Sequence, residues 1–264
     1  MAESLLRAQG LVKRFGALRA TDGASFEVRE GEVHALIGHN GAGKTTLIHQ
    51  LSGALRPDEG RILFDGQDLT RAGMAARVRA GLVRSYQITS IFRRDTVRDN
   101  LVMGLLAARG GWPSPWRRVR ADASLHAEAD ALLAHIGLAA QAGRVAGTLA
   151  HGEQRQLELG LALSTRPRLL LLDEPMAGMG PDESERMVGL LQDLRRHTTL
   201  LLVEHDMDAV FRLADRISVL VSGRIIASGT PAQVREHAEV RKAYLGDELV
   251  FEAALDAGAA GGGP

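Results

Sequence analysis

Short, nearly continuous apolar runs recur along the chain, separated by stretches in which apolar side chains return at helical spacing. Val33–Ile37 is the first such run, and Leu169–Leu172, Thr199–Val203 and Ile217–Val221 follow it. A run that is apolar at nearly every position reads as a strand buried on both faces, because a half-exposed strand would alternate. Lys44–Leu51, Ala72–Ala80, Glu183–Arg195 and Met207–Leu213 read as helices. Strands alternating with helices predict an α/β fold: a mostly parallel sheet covered on both faces, with its ligand at the strands' carboxyl ends.

Two regions depart from this alternation. Leu5–Phe15 and Ser25–Val28 read as strands about a turn at Gly16, a β-rich lip before Gly31. Turns at Arg56–Gly60 and Asp65-Gly66 bracket a strand at Arg61–Phe64, Leu82–Ser85 is another strand, and Arg224–Ser228 returns as a hairpin across Ser222-Gly223. From Ile88 to about Glu158, Ala- and Leu-rich windows such as Ser124–Ile136 replace strands, which predicts a helical lobe at about 88–160 inserted in the core. Within it, Trp112-Pro113-Ser114-Pro115-Trp116-Arg117-Arg118 reads either as a solvated loop or as a contact for lipid or a partner. Residues 1–249 form one domain on this reading, and the Ala- and Gly-rich end, 250–264, is a flexible tail too poor in apolar side chains to order itself.

Composition narrows the possibilities. With 264 residues, 45% of them apolar, there is ample material for a core. Lys+Arg 32 balances Asp+Glu 32, so no basic footprint for nucleic acid is expected. The absence of cysteine removes disulfides, thiolate metal sites and a cysteine nucleophile. Met1–Gly10 lacks the apolar centre of a signal peptide, and no window approaches the roughly 18 apolar residues of a membrane span. A soluble chain that meets a membrane only through partners is the expectation.

The chemistry concentrates where Val33–Ile37 gives way to a helix. Gly38-His39-Asn40-Gly41-Ala42-Gly43-Lys44-Thr45 satisfies the phosphate-loop rule G-x-x-x-x-G-K-[ST]. Its glycines let successive N–H groups face inward, and the helix that follows adds the positive end of its dipole. Lys44 can place a cation on the β- and γ-phosphates, and the Thr45 hydroxyl can take one place on Mg²⁺. Lysine occurs only at 13, 44 and 242 in an arginine-rich chain, so its presence here reads as a requirement. The strand Leu169–Leu172 ends in Asp173-Glu174, where Asp173 can hold the metal directly or through water and Glu174 can accept a proton from an attacking water. His205 ends the next strand at a similar height, within reach of a γ-phosphate or as an ordinary structural histidine.

Taken in order, Gly38–Thr45, Gln87, Leu149-Ala150-His151-Gly152-Glu153-Gln154, Asp173-Glu174-Pro175 and His205 resemble the Walker A, Q-loop, signature, Walker B and switch-histidine motifs of ABC transporter ATP-binding subunits. The resemblance covers about residues 5–246. It implies a P-loop NTPase (RecA-like) core, a helical lobe carrying the signature, and ATP and Mg²⁺ as cofactors. It further implies that Gly38 to Thr46 contact nucleotide, that Thr45, Gln87 and Asp173 surround the metal, and that Glu174, His205, Gln87 and Lys44 serve catalysis. Phe15 is implied to stack on adenine, although a core phenylalanine at a strand end fits the residue as well. Two subunits of the family pack head-to-tail, so Ala150, Gly152 and Glu153 would meet the nucleotide of a partner.

Three positions depart from the family pattern: His39 where proline is commonest, Ala150 where serine is, and Gly180 where Asp or Asn usually stands. Gln87–Phe92, Gly152–Glu158, Val203–Met207 and Arg241–Gly246 resemble one branch, the branched-chain amino acid importers, and the long segment before the signature resembles the larger of their two ATP-binding subunits. That implies a second ATP-binding subunit, identical or different, two permeases, an extracytoplasmic solute-binding protein and a place on the cytoplasmic face of the inner membrane. Related importers of urea or short amides share these motifs. A soluble ABC ATPase shares the core, but one cassette, balanced charge and no heptad run argue against it. A P-loop kinase or GTPase would explain Gly38–Thr45 and leave Gly152–Gln154 and His205 unexplained. A subunit that binds nucleotide without hydrolysis is the remaining reading, motivated by Ala150 and Gly180.

Overall fold

The computed structural model describes residues 4–85, 91–110 and 122–244. Gln87, the Trp112–Arg118 stretch and the 250–264 tail lie outside them. The strands are β1 Ser4–Phe15, β2 Leu18–Arg29, β3 Val33–Ile37, β4 Glu59–Phe64, β5 Gln67–Asp68, β6 Leu82–Arg84, β7 Leu169–Asp173, β8 Thr199–Val203, β9 Arg216–Val221 and β10 Arg224–Gly229. The α-helices are α1 Lys44–Ser52, α2 Met74–Ala80, α3 Val97–Ala108, α4 Ala123–His135, α5 His151–Leu163, α6 Pro181–Leu194, α7 Met207–Leu213, α8 Pro231–Glu236 and α9 Ala238–Tyr244.

A six-stranded sheet runs β10-β9-β3-β8-β7-β6, and a four-stranded antiparallel sheet runs β2-β1-β4-β5. All neighbours in the larger sheet are parallel except the β9–β10 hairpin. The apolar runs explain its layering, because successive side chains of a strand point to opposite faces. Leu170, Leu172, Leu200 and Leu202 join one apolar cluster, while Leu169, Leu171, Leu201 and Val203 join another.

The second cluster holds Leu47, Ile48 and Leu51 of α1 together with Leu6, Ile62 and Phe64 of the smaller sheet. Helix α1 is therefore clamped between two sheets. On the opposite face, Leu101 of α3, Leu133 of α4 and Leu157 of α5 share a cluster with Leu170, Leu172 and Met187. The helical region thus has no core of its own among the described residues, and its apolar side chains continue directly onto the sheet.

Strand β2 begins well before the expected Ser25. Thr21-Asp22-Gly23 belongs to the strand: Thr21 is buried and donates to Gln50 Oε1 at 3.2 Å, while Gly23 takes φ 81° within a ladder whose register shifts at several points. Such irregularities absorb residues that would otherwise break a strand. Thr230 caps α8 through Gln233 N, with Pro231 in the first turn.

Candidate active site

Strand β3 runs into the loop 38–43 and then into α1, so the phosphate loop sits at the carboxyl end of a central strand. Gly43 caps α1 at φ 105°, a left-handed conformation, and a Cβ there would collide with the Ala20 carbonyl. Gly38 is crowded in the same way by the Leu220 carbonyl. Both positions exclude side chains because backbone carbonyls of distant segments press on them.

Lys44 is 7% exposed, and its Nζ donates to Gly38 O at 2.5 Å and His39 O at 3.2 Å. Burial lowers its pKa, while the charges of Glu174 and Asp173 pull the other way. The lysine is held by its own loop, on carbonyls that phosphate oxygens can replace. Thr45 is exposed and Thr46 half-buried in the first turn of α1, while Asn40 and Gly41 are exposed and Ala42 is buried. His39 is partly buried, and its Nε2 donates to Ala243 O of α9 at 2.9 Å, a contact that proline would not make.

Neighbouring strands bring the remaining groups to the same edge. In the order β3-β8-β7, the phosphate loop follows β3, His205 follows β8 and Asp173-Glu174 closes β7. Asp173 is 4% exposed, and its Oδ2 accepts from Arg84 Nη2 at 2.7 Å across the β6–β7 pair. Glu174 has φ 49°, a left-handed backbone in a non-glycine residue, with its N–H donated to Val203 O at 2.8 Å. Strain of this kind persists where surrounding contacts enforce it, and it clusters at functional sites. The side chain of His205 is 63% exposed, with Nδ1 3.9 Å from Glu174 Oε1.

Ala150 to Glu153 lies at the start of α5, and its described contacts are with other parts of the chain. Glu153 turns back on its own helix, accepting from Ala150 N at 2.9 Å and Gln141 Nε2 at 3.1 Å, which makes half of a capping box. Ala150 has no side-chain acceptor for the other half. Gly152 is buried, and a Cβ on it would lie 2.7 Å from Glu183 Oε1 of α6. Phe15 is 51% exposed at the β1–β2 hairpin tip, with Lys13 Nζ 5.9 Å from its ring centre, so it is no core residue.

Arg84 and Glu204 were not singled out from the sequence. Their signal was a charged residue at the end of an apolar strand, which burial turns into a paired or bonded group. Among the described residues, no group of three or more His, Cys, Asp or Glu can hold a metal ion. Thr45 and Asp173 supply hard oxygen donors of the kind Mg²⁺ takes alongside nucleotide phosphates, so the donor set fits that ion.

A phosphate loop, an Asp-Glu pair and a histidine at the ends of three adjacent parallel strands define a P-loop ATPase cassette. The family model described as "ABC transporter" matches residues 21–177, and that of the "Branched-chain amino acid ATP-binding cassette transporter" matches residues 224–250. The high-affinity branched-chain amino acid transport ATP-binding protein LivG of Escherichia coli (strain K12) is 40% identical over 94% of this chain and 100% of its own length. BraF of Pseudomonas aeruginosa, described in the same words, is 38% identical with the same coverage. The solved ADP conformation of an ATP-binding cassette of an ABC transporter superposes with a TM-score of 0.79 at 31% identity, over 92% of this chain and 99% of that one. The chain belongs to the ABC transporter ATP-binding proteins, within their branched-chain amino acid group. It is an ATPase subunit that drives solute transport.

Proposed function

We propose that this chain powers import of branched-chain or related amino acids, through ATP-driven closure of two cassettes beneath a pair of permeases. The solute class rests on the LivG and BraF relatives and on the match at 224–250. The observation that carries the mechanism is the split arrangement. Lys44, Asp173, Glu174 and His205 share one edge of the sheet, while the signature at the start of α5 packs on Glu183. A second subunit's signature would complete the site over the γ-phosphate, and this chain's signature would do the same for the partner.

Lys44 would leave the Gly38 and His39 carbonyls for the β- and γ-phosphates, with the loop amides and the start of α1 balancing the remaining charge. Thr45 and Asp173, with Gln87, would hold a Mg²⁺ that neutralises phosphate charge. Glu174 would orient the attacking water and take its proton, and His205 would bond the γ-phosphate. The half-exposed ring of Phe15 supports adenine stacking at the hairpin tip. Among the described residues no helix is long and apolar enough to cross a membrane. By analogy with its relatives, the cassette would work at the cytoplasmic face, held by the permeases and served by an extracytoplasmic solute-binding protein. Residues 1–249 act as one cassette, with the helical region from about 88 to 160 carrying the signature.

The test is Glu174→Gln in the assembled transporter. ATP binding should persist while turnover and leucine uptake into proteoliposomes fall to background. Undiminished turnover would remove Glu174 from the mechanism, and uptake confined to urea or amides would reassign the solute.

A further inference from the structure

Strand β8 is apolar from Leu200 to Val203, and the next residue is an acid buried to 1% exposure. Nothing in the hydrolysis described above uses Glu204. Burying a carboxylate is costly unless its oxygens are bonded, so hydrocarbon would be the cheaper occupant of this position. Both oxygens have partners. Oε1 accepts from Met176 N at 3.0 Å, and Oε2 accepts from His205 N at 3.1 Å and stands 3.7 Å from His205 Nδ1.

These partners belong to two different segments. Met176 lies in the turn after Glu174, and His205 is the side chain that faces Glu174 across 3.9 Å. Alternate amides of that turn are laced to the end of β8, with Glu174 N on Val203 O at 2.8 Å and Met176 N on the Glu204 carboxylate. The left-handed backbone of Glu174 is therefore followed, after Pro175, by the Met176 N–H that Glu204 anchors. Capping of α7 does not account for the acid, because Asp206 caps that helix through Ala209 N at 3.2 Å.

We propose that Glu204 is a positioning residue for ATP hydrolysis, its two carboxylate oxygens fixing the turn after Glu174 and the His205 backbone in one arrangement. The inference rests on Glu174 and His205 acting as described under the proposed function. A carboxylate is needed because both of its oxygens accept. Glutamine has the same shape but one acceptor, so its amide would confront one of the two N–H donors. Aspartate keeps both acceptors but is a methylene too short to span the two segments.

The experiment measures phosphate release, ATP affinity and melting temperature for Glu204→Gln, Glu204→Asp and Glu174→Gln in the full chain assembled with its transport partners. Loss of one hydrogen bond to a charged group predicts a fall in kcat of about 10- to 100-fold for Glu204→Gln, with KM for ATP changed less than about 2-fold. Glu204→Asp should also lose kcat, and it carries the test if the glutamine variant does not fold. A kcat within about 2-fold of wild type for a folded variant, while Glu174→Gln is inactive, overturns the positioning role. A joint loss of ATP affinity and melting temperature in both variants overturns it in favour of a packing role. Full turnover in Glu174→Gln would instead strike at the assignment of Glu174.

Discussion

Arg77 offers the sharpest test of how the phosphate-loop helix is held. Its side chain is 1% exposed, yet its described partners are all backbone carbonyls. Nη1 donates to Gln50 O at 2.8 Å and Leu51 O at 2.5 Å, Nη2 to Leu69 O at 2.7 Å, and Nε to Ala72 O at 3.0 Å. The first two carbonyls belong to the last turn of α1, so a cation closes the negative end of the helix whose other end faces phosphate. Arg77→Met keeps much of the apolar stem and removes the donors. Four hydrogen bonds to a charged donor are worth about 6 kcal/mol at the low end of about 1.5 kcal/mol each. Burial pushes the arginine's pKa down from its ordinary value to about 10, so deleting the charge returns about 3 kcal/mol of desolvation.

The net loss for Arg77→Met is about 3 kcal/mol, which for a chain of this size lowers the melting temperature by about 6–12 °C. Below about pH 9 Arg77 is protonated both folded and unfolded, so the deficit should be constant from about pH 6 to 9. Above about pH 10 the folded state releases the proton before the unfolded chain does, so the wild type gains stability as pH rises further. Thermal melts across this range, followed by circular dichroism, read both effects. A change below about 2 °C would mean that the α1 carbonyls find other donors, refuting the claim that Arg77 closes the helix.

Further outcomes follow from the same geometry. Gly43→Ala should weaken ATP binding about 10-fold or more, because the position demands a left-handed backbone and abuts the Ala20 carbonyl; titration with a fluorescent ATP analogue reads it, and unaltered affinity refutes it. Ala150→Ser supplies the N-cap acceptor that α5 lacks, worth about 1 kcal/mol, and should raise the melting temperature by about 2–4 °C; a neutral or lower value would show the start of α5 already satisfied. Burial raises the pKa of Glu204 above 4.5, so its contribution to stability is fully present below about pH 4.5 and is lost as pH rises through the shifted value. Glu204→Gln should therefore gain stability relative to wild type from about pH 4.5 towards neutrality, and a difference independent of pH would contradict that sign.

What was legible from residues alone followed from local rules. The phosphate loop could be read because its chemistry requires glycines and a lysine at fixed spacing, and all of them are contiguous. The strands Val33–Ile37 and Thr199–Val203 match β3 and β8, because short, nearly continuous apolar runs of this length suit strands buried on both faces. Short elements were less visible. Strand β5 is two residues long, and the described part of α9 spans seven, too few for a period to declare itself.

The chain determined by itself its α/β class, its phosphate loop and the order of its motifs, since each is written in neighbouring residues. Only the tertiary structure decided that β8 lies between β3 and β7, which puts His205 between the phosphate loop and Glu174. Strand order is set by how the two faces of the sheet share their apolar clusters, and no local pattern encodes it. The partners of the buried charges were decided in the same way. Arg84 meets Asp173, Arg77 meets the end of α1, and Glu204 meets Met176 and His205 because burial leaves each charged group only the polar atoms that the fold brings within about 3 Å.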